Sequence, residues 1–404
     1  MFTKEVAGTA NALAAGWGNL GGGMTQVVMG SILFPLFRAI FEHHSSDTFE
    51  EAATRSWRMI CIIPAVMTFF FGVQIIRTSD DCPKGNYAKM KKLGLINDVS
   101  VSKSMMTAFR DRNTWPLFIQ YACCFGVELT VNNAAALYFQ DEFGQTTESA
   151  AAIASVFGWM NLFARGAGGL LSDVGNASMG MRGRLIWQSV LLVVEGFMIV
   201  LFAMNKSMAG AIVMMAIFSI FVQAAEGSTY GIVPYVNPAV TGSIAGIIGA
   251  GGSCGAVVFG FMFRDLSYFH AFVLMGLVAA SSSVLSLFVV IRGHAGIMCG
   301  QDAPELRRTN HNNLNSNLNH SNLNSNLNHR LHRPNKPTVG TGSRTDAETA
   351  MGVVVVHNAV NVNVNAVNNV NTVTLDDVEW QRQQREEEDA QMEESGLEGL
   401  SVVH

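Results

Sequence analysis

The sequence predicts an all-α, polytopic membrane protein of about eight transmembrane helices followed by a disordered tail. Three observations predict it. Of 404 residues, 49% are hydrophobic and only 14% charged. The charges sit outside a series of long apolar runs, whereas a helix of a soluble protein sets a charged face against an apolar stripe. After Gly293 the composition changes abruptly to an Asn-rich tract. The net charge of −5, with no zinc-ligand spacing and no basic-aromatic stripe, gives nucleic-acid binding no support. No paired carboxylates, nucleophile elbow or phosphate loop marks an enzyme, and no cofactor or metal site is expected.

A helix needs about 20 apolar residues to cross a bilayer. Eight segments qualify: 7–37, 57–77, 115–138, 149–171, 185–205, 208–235, 239–262 and 270–292. The first and sixth are long enough to hold a break, which Pro35 and Glu226-Gly227-Ser228 would supply. Orientation follows from the basic residues of short loops. Loop 78–114 carries Lys84, Lys89, Lys91, Lys92, Lys103, Arg110 and Arg112 and is expected in the cytoplasm. Segment 172–184, with Arg182 and Arg184, then lies inside, and 139–148, with Asp141 and Glu142, outside. The chain divides into two helices of a first half (1–77), a central cytoplasmic loop (78–114), a six-helix half (115–292) and a tail (293–404). The tail holds a tandem, Asn313 to Ser321 against Asn322 to Arg330, a Val/Asn alternation at 353–373 and an acidic stretch at 376–398. Such low complexity reads as disorder.

The first helix contains Gly8-Thr9-Ala10-Asn11 and Ala15-Gly16-Trp17-Gly18-Asn19-Leu20-Gly21-Gly22-Gly23. In water each glycine would weaken it by about 1 kcal/mol relative to alanine. In a bilayer, small residues let helices approach closely, and Gly18 with Gly22 forms a small-xxx-small pair. Gly8, Ala12, Ala15, Asn19 and Gly22 share one face, which turns Asn19 into the bundle. Alone, that asparagine reads as an interhelical hydrogen bond worth about 0.6 kcal/mol. Residues 249–255 read Gly-Ala-Gly-Gly-Ser-Cys-Gly, and setting Ser253 on Asn19 puts Gly252 on Gly18 and Gly255 on Gly21. Similarity at a six-helix offset suits a transporter of two parallel halves with its substrate between them.

The fourth segment holds Arg165. An arginine at mid-membrane costs about 2.5–3.5 kcal/mol even on lenient scales, so it is a functional candidate. Its planar fork suits a flat oxyanion; snorkelling, or pairing with an acidic neighbour, is the plainer alternative. Gly169-Leu170-Leu171-Ser172-Asp173, followed by Arg182-Gly183-Arg184, reads as a gating and structural element. Asp173 is suited to accept from a helix N-terminus or to pair with a loop arginine.

At these residues the chain resembles the nitrate/nitrite porter family of the major facilitator superfamily. Ala15 to Gly21 looks like that family's first nitrate signature, and Gly249 to Gly255 like its second, with Ser253 where the family usually has asparagine. Gly169 and Asp173 with Arg184 look like the superfamily's loop motif. Ser79-Asp80-Asp81-Cys82-Pro83-x-Gly85-Asn86-Tyr87 and Gly126-Val127-Glu128-Leu129-Thr130 are typical of its eukaryotic branch.

The resemblance, over residues 1 to about 292, implies that Arg165 clamps nitrate, that Tyr121 and Phe125 line the anion site, and that Asn19, Gly18, Gly252 and Ser253 contribute from the signatures. Without it, an aromatic pair four residues apart reads as packing. It further implies proton-coupled uptake of nitrate or nitrite by alternating access, with the plasma membrane as the default. Glu128 is then the candidate proton carrier, with Glu195 and Glu226 competing. Members of the family have twelve helices, and this chain begins at the equivalent of the fifth, so the first-half arginine facing Arg165 is not in it. The alternatives are a truncated, inactive fragment, a membrane partner of another subunit, or a transporter of another small anion.

Overall fold

The computed structural model describes residues 6–45, 48–80, 86–92 and 100–301. The tandem repeat, the Val/Asn stretch and the acidic segment of the tail lie outside the described residues, as do 81–85 and 93–99 of the central loop.

Every described element is helical. Helix α1 (Ala7–Thr25) passes through a π-helical stretch, Gln26–Leu33, into α2 (Phe34–Ser45). The irregularity expected in this rod therefore lies just ahead of Pro35. Proline lacks an N–H and crowds the carbonyl four residues back, here Ser31, and a wider turn relieves that contact. The second rod is α3 (Phe49–Ile60) and α4 (Ile62–Thr78). It starts well before the expected residue 57 because Thr48 and Glu51 close a reciprocal capping box. The central loop contains two short helices, α5 (Tyr87–Lys92) and α6 (Val101–Arg110).

The remaining rods form the body of the bundle. They are α7 (Thr114–Phe143), then α8 (Thr147–Trp159) joined by a 3-10 turn, Met160–Leu162, to α9 (Ala164–Met179). Next come α10 (Met181–Ala203), α11 (Met208–Val236) and α12 (Thr241–Asp265). Last are α13 (Tyr268–Ser282) and a 3-10 turn, Ser283–Phe288. Helix α11 runs unbroken through Glu226-Gly227-Ser228, where a break was expected, and takes Pro234 into its last turn.

Among the described residues, six rods are long and apolar enough by length and composition to cross a membrane: Ala7–His43, Phe49–Thr78, Met181–Ala203, Met208–Val236, Pro238–Asp265 and Tyr268–Phe288. The sequence leads to an expectation of about eight, and the other two expected segments are also helical rods. The two that fall short are α7, diluted by Gln120, Glu128, Asn132 and Asn133, and α8–α9, divided by its 3-10 turn. Polarity is the reason in one case and a broken helix in the other. These same two rods carry Arg165 and its aromatic neighbours. Large apolar side chains such as Phe69, Phe70 and Ile76 of α4 point outward, as hydrocarbon-facing residues do.

Two glycine seams set the spacing of the rods. On α1 the buried small residues are Gly8, Ala12, Gly16 and Gly23. A Cβ on Gly8 would lie 3.0 Å from the Gly169 carbonyl, one on Gly16 would lie 2.7 Å from that of Asn161, and one on Gly23 would lie 2.9 Å from the Trp159 nitrogen. The buried face is thus turned slightly from the expected one, and among the described residues the Gly18–Gly22 pair makes no helix seam: a Cβ on Gly18 would have nothing within 4 Å. The second seam joins α7 to α12. A Cβ on Gly126 would meet the Gly255 backbone at 2.8 Å, and one on Gly255 would meet the Ala122 carbonyl at 2.1 Å.

Replacing Gly255 with valine should therefore force α7 and α12 apart, at a cost of about 1–3 kcal/mol. A Cβ on Gly260 of the same helix would have nothing within 4 Å among the described residues, so its valine variant serves as the control. Thermal unfolding of the detergent-solubilised chain should show a lowered midpoint for Gly255→Val and an unchanged one for Gly260→Val; equal midpoints would refute the seam.

Candidate functional site

The 3-10 turn ends at Leu162, and α9 begins immediately before Arg165. Gly16 of α1 and Gly227 of α11 bring two backbones against this first turn: a Cβ on Gly16 would stand 3.1 Å from the Arg165 Cβ, and one on Gly227 would stand 2.1 Å from its carbonyl oxygen. Arg165 is thereby walled in, with only 3% of its surface exposed.

A cation so placed must be neutralised. Arg165 Nη1 hydrogen-bonds to Glu226 Oε2 on α11 and lies 3.7 Å from Glu128 Oε2 on α7. Its Nη2 donates to the Tyr121 hydroxyl at 2.7 Å. The Phe125 ring faces the guanidinium with its centroid 5.7 Å away, within cation–π range. Tyr121 and Phe125 stack at 5.2 Å, and Tyr230 of α11 meets Tyr121 edge-on at the same distance. Pairing with acids, the plainer alternative for Arg165, is thus what the geometry contains.

Glu128 ties more elements into the cluster. Its Oε1 accepts from Asn161 Nδ2 at 2.8 Å and its Oε2 from Asn19 Nδ2 at 3.3 Å. Asn19 therefore does turn into the bundle and finds a carboxylate. The result is one assembly of Arg165, Glu128, Glu226, Tyr121, Phe125, Asn19 and Asn161 on four rods. Among the described residues, Glu226 Oε1 and Arg165 Nε lack a hydrogen-bond partner. A guanidinium held by ionisable groups can exchange those partners for another planar acceptor.

The glycine signatures enter the site unequally. A Cβ on Gly252 would lie 2.2 Å from the Phe125 ring, so this glycine makes room for that ring. Ser253 lies on the exposed side of α12 and Gly18 on the exposed side of α1, and neither joins the cluster. For Ser253 the reason is local: the α-helical turn that points Gly252 at α7 carries Ser253 away from it. Sequence reasoning also missed Asn161 and the pairing of Glu226. The signal was present, since a buried carboxylate needs a partner and Arg165 is the candidate cation at that depth.

A second charged cluster lies at one end of α1. Asp173 accepts from Gly8 N at 3.1 Å and from Thr9 N and Thr9 Oγ1 at 2.6 Å each. It also pairs with Arg184 at 2.8 Å, and Arg184 donates to Ser172 Oγ at 3.0 Å. Both roles expected of Asp173, helix-end acceptor and arginine partner, meet in one carboxylate. Gly169 allows it: a Cβ there would lie 2.5 Å from the Gly8 carbonyl.

Comparison with known proteins places this geometry in context. Residues 1–260 match the family model described as Major Facilitator Superfamily. The chain is 34% identical to the Arabidopsis thaliana "High affinity nitrate transporter 2.5" over 311 residues, covering 76% of this chain and 60% of that protein. It is 38% identical to the Oryza sativa subsp. japonica "High-affinity nitrate transporter 2.3" over 264 residues, 65% of this chain and 49% of the relative. Identity to the Chlamydomonas reinhardtii "Nitrate transporter 2.2" is 34% over 303 residues, 72% of this chain and 56% of the relative. The chain thus spans between 49% and 60% of the length of these relatives.

Because Asp173 neutralises Arg184 in the bundle and holds the start of α1, the Asp173→Asn variant should be destabilised by about 3–5 kcal/mol, the usual result of removing one partner from a buried pair. The thermal midpoint in detergent is the measurement; an unaltered midpoint would contradict the structural role.

Proposed function

The chain belongs to the Major Facilitator Superfamily, and we propose that it is a secondary transporter of nitrate, or of nitrite, working by alternating access in a plasma membrane. The transporter families it matches support a membrane carrier, and the cluster around Arg165 supports the choice of cargo. A single buried guanidinium, backed by an aromatic face and a phenol, suits a flat, weakly hydrated monoanion. In this reading Nη2 and the Tyr121 hydroxyl hold one edge of the anion, Phe125 covers its face, and Asn19 lines the wall.

Charge balance supports proton coupling. With Glu128 and Glu226 both ionised, the cluster of one arginine and two carboxylates carries one net negative charge and repels an anion. A proton on either acid removes that repulsion and frees part of the guanidinium. The anion and at least one proton then enter together. Glu128 is the proposed entry point, because its Oε2 stands between Arg165 and Asn19 and can be released from both. Gly169, Asp173 and Arg184 act as the gate at the end of the bundle, which the basic loop 78–114 assigns to the cytoplasm.

A second reading rests on a separate observation. The face of α1 carrying Gly18 and Gly21 has nothing within 4 Å of either glycine among the described residues, which suits contact with further membrane helices. Those would belong to an accessory membrane subunit, and the 404-residue chain alone would then be inactive.

Isotopic nitrate uptake in an uptake-deficient host tests both readings. The chain, alone or co-expressed with a candidate subunit, should give saturable uptake, which Arg165→Lys abolishes because an ammonium point charge cannot hold Glu226 and present a second fixed donor to the anion at once. Undiminished uptake by Arg165→Lys would end the assignment of the site. Other small anions that compete as well as nitrate does would change the cargo.

A further inference from the structure

Besides Asp173, three glutamates are buried in the bundle, and their surroundings differ. Glu128 accepts from two amides, and Glu226 sits on Arg165. Glu195 of α10, with 0% exposure, has no hydrogen-bond partner on either carboxyl oxygen among the described residues. A bare carboxylate in such a place is among the costliest groups to bury, whereas a neutral carboxylic acid is tolerated.

The groups packed around Glu195 do not supply a counter-charge. Cys123 and Cys124 of α7 and Glu226 of α11 are close enough to act on it electrostatically, and none is a cation. On α9 the ionisable residues are Arg165 and Asp173, which are paired with Glu226 and Arg184 respectively. Segment 271–288, covering most of α13 and the turn after it, has no ionisable side chain. On α10 itself Arg184 is committed to Asp173.

From these surroundings we propose that Glu195 is a proton-binding site separate from the anion cluster, holding the proton that has left the cluster. The proposal rests on the transport reading for its direction, though not for the protonation itself. The proton passes from Glu128 by way of the Glu226 carboxyl to the Glu195 carboxylate, leaving Glu226 ionised against Arg165 and Glu195 neutral. The onward route follows α10. Gln188, two turns from Glu195 on the same buried face, donates to Thr229 Oγ1 at 2.9 Å, and its own Oε1 is without a hydrogen-bond partner among the described residues. Thr229 in turn follows Glu226 by one turn on α11. This strip of buried acceptors between α10 and α11 ends at Arg184 and the gate. Release to water there returns Glu195 to the carboxylate, so the proton and the anion leave by different paths.

The full chain reconstituted in lipid nanodiscs tests the site by infrared spectroscopy, which reads the carbonyl stretch of a protonated carboxyl directly. At neutral pH the wild type should show this band, and Glu195→Gln should remove a carboxyl's worth of it. An unchanged band in Glu195→Gln overturns the proposal. If that variant cannot be recovered folded, Glu195→Asp should move the band, and an unmoved band is equally fatal. The transport arm uses the uptake-deficient host: Glu195→Gln should lose accumulation driven by a pH gradient but keep nitrate-for-nitrate exchange. Accumulation with a wild-type pH profile would overturn the proton-carrying role. Failure of the wild type to move nitrate at all would strike the transport reading and leave the infrared result to stand on its own.

Discussion

One positive charge in the middle of an apolar bundle organises this protein. Arg165 cannot remain unpaired at 3% exposure, so the neighbouring rods must each bring something to it. Helix α7 brings Tyr121, Phe125 and Glu128, α11 brings Glu226, and α1 brings Asn19 through Glu128. What reads as weak hydropathy in α7 and as a broken helix in α8–α9 is the local cost of assembling that polar centre.

Much of this was legible in the sequence because it depends on single residues with few options. An arginine or glutamate inside an apolar run must find a partner, and a run of glycines must be a close contact. Asp173 and Arg184 were therefore readable together. Other features depend on angles that spacing alone does not fix. Asn19 and Ser253 are equivalent in the internal repeat, yet Asn19 reaches Glu128 while Ser253 faces outward, because α12 meets α7 through Gly251, Gly252 and Gly255. Likewise, α1 buries Gly16 and Gly23 where the expected stripe ran through Ala15 and Gly22. A rotation of one residue about a helix axis is invisible to a periodicity argument when every residue nearby is small. The 3-10 turn before Arg165 was also hidden, since Met160-Asn161-Leu162 contains neither glycine nor proline.

The polar groups divide into three levels along the bundle. At one end Asp173 and Arg184 fasten α1, α9 and α10. In the middle Arg165 gathers its carboxylates and aromatics. Between them, Gln188 and Thr229 bridge α10 and α11. Each is a cross-helix link in surroundings where water cannot compete, which keeps such links strong and their loss expensive.

The seam between α7 and α12 has a mechanical meaning. Backbone lies directly on backbone at Gly126, Gly255 and Ala122, so no side chain is available there to swing or repack, and the two helices must travel as one plate. Helix α9 is fixed in the same manner to α1 through Gly8, Gly16 and Gly169. Two stiff plates then meet along a softer line of side chains, and the phenol of Tyr121 touches the guanidinium of Arg165 across that line. Sliding one plate past the other, the shear by which packed helices rearrange, would stretch this contact first. Ligand exchange and rigid-body displacement would be one and the same coordinate.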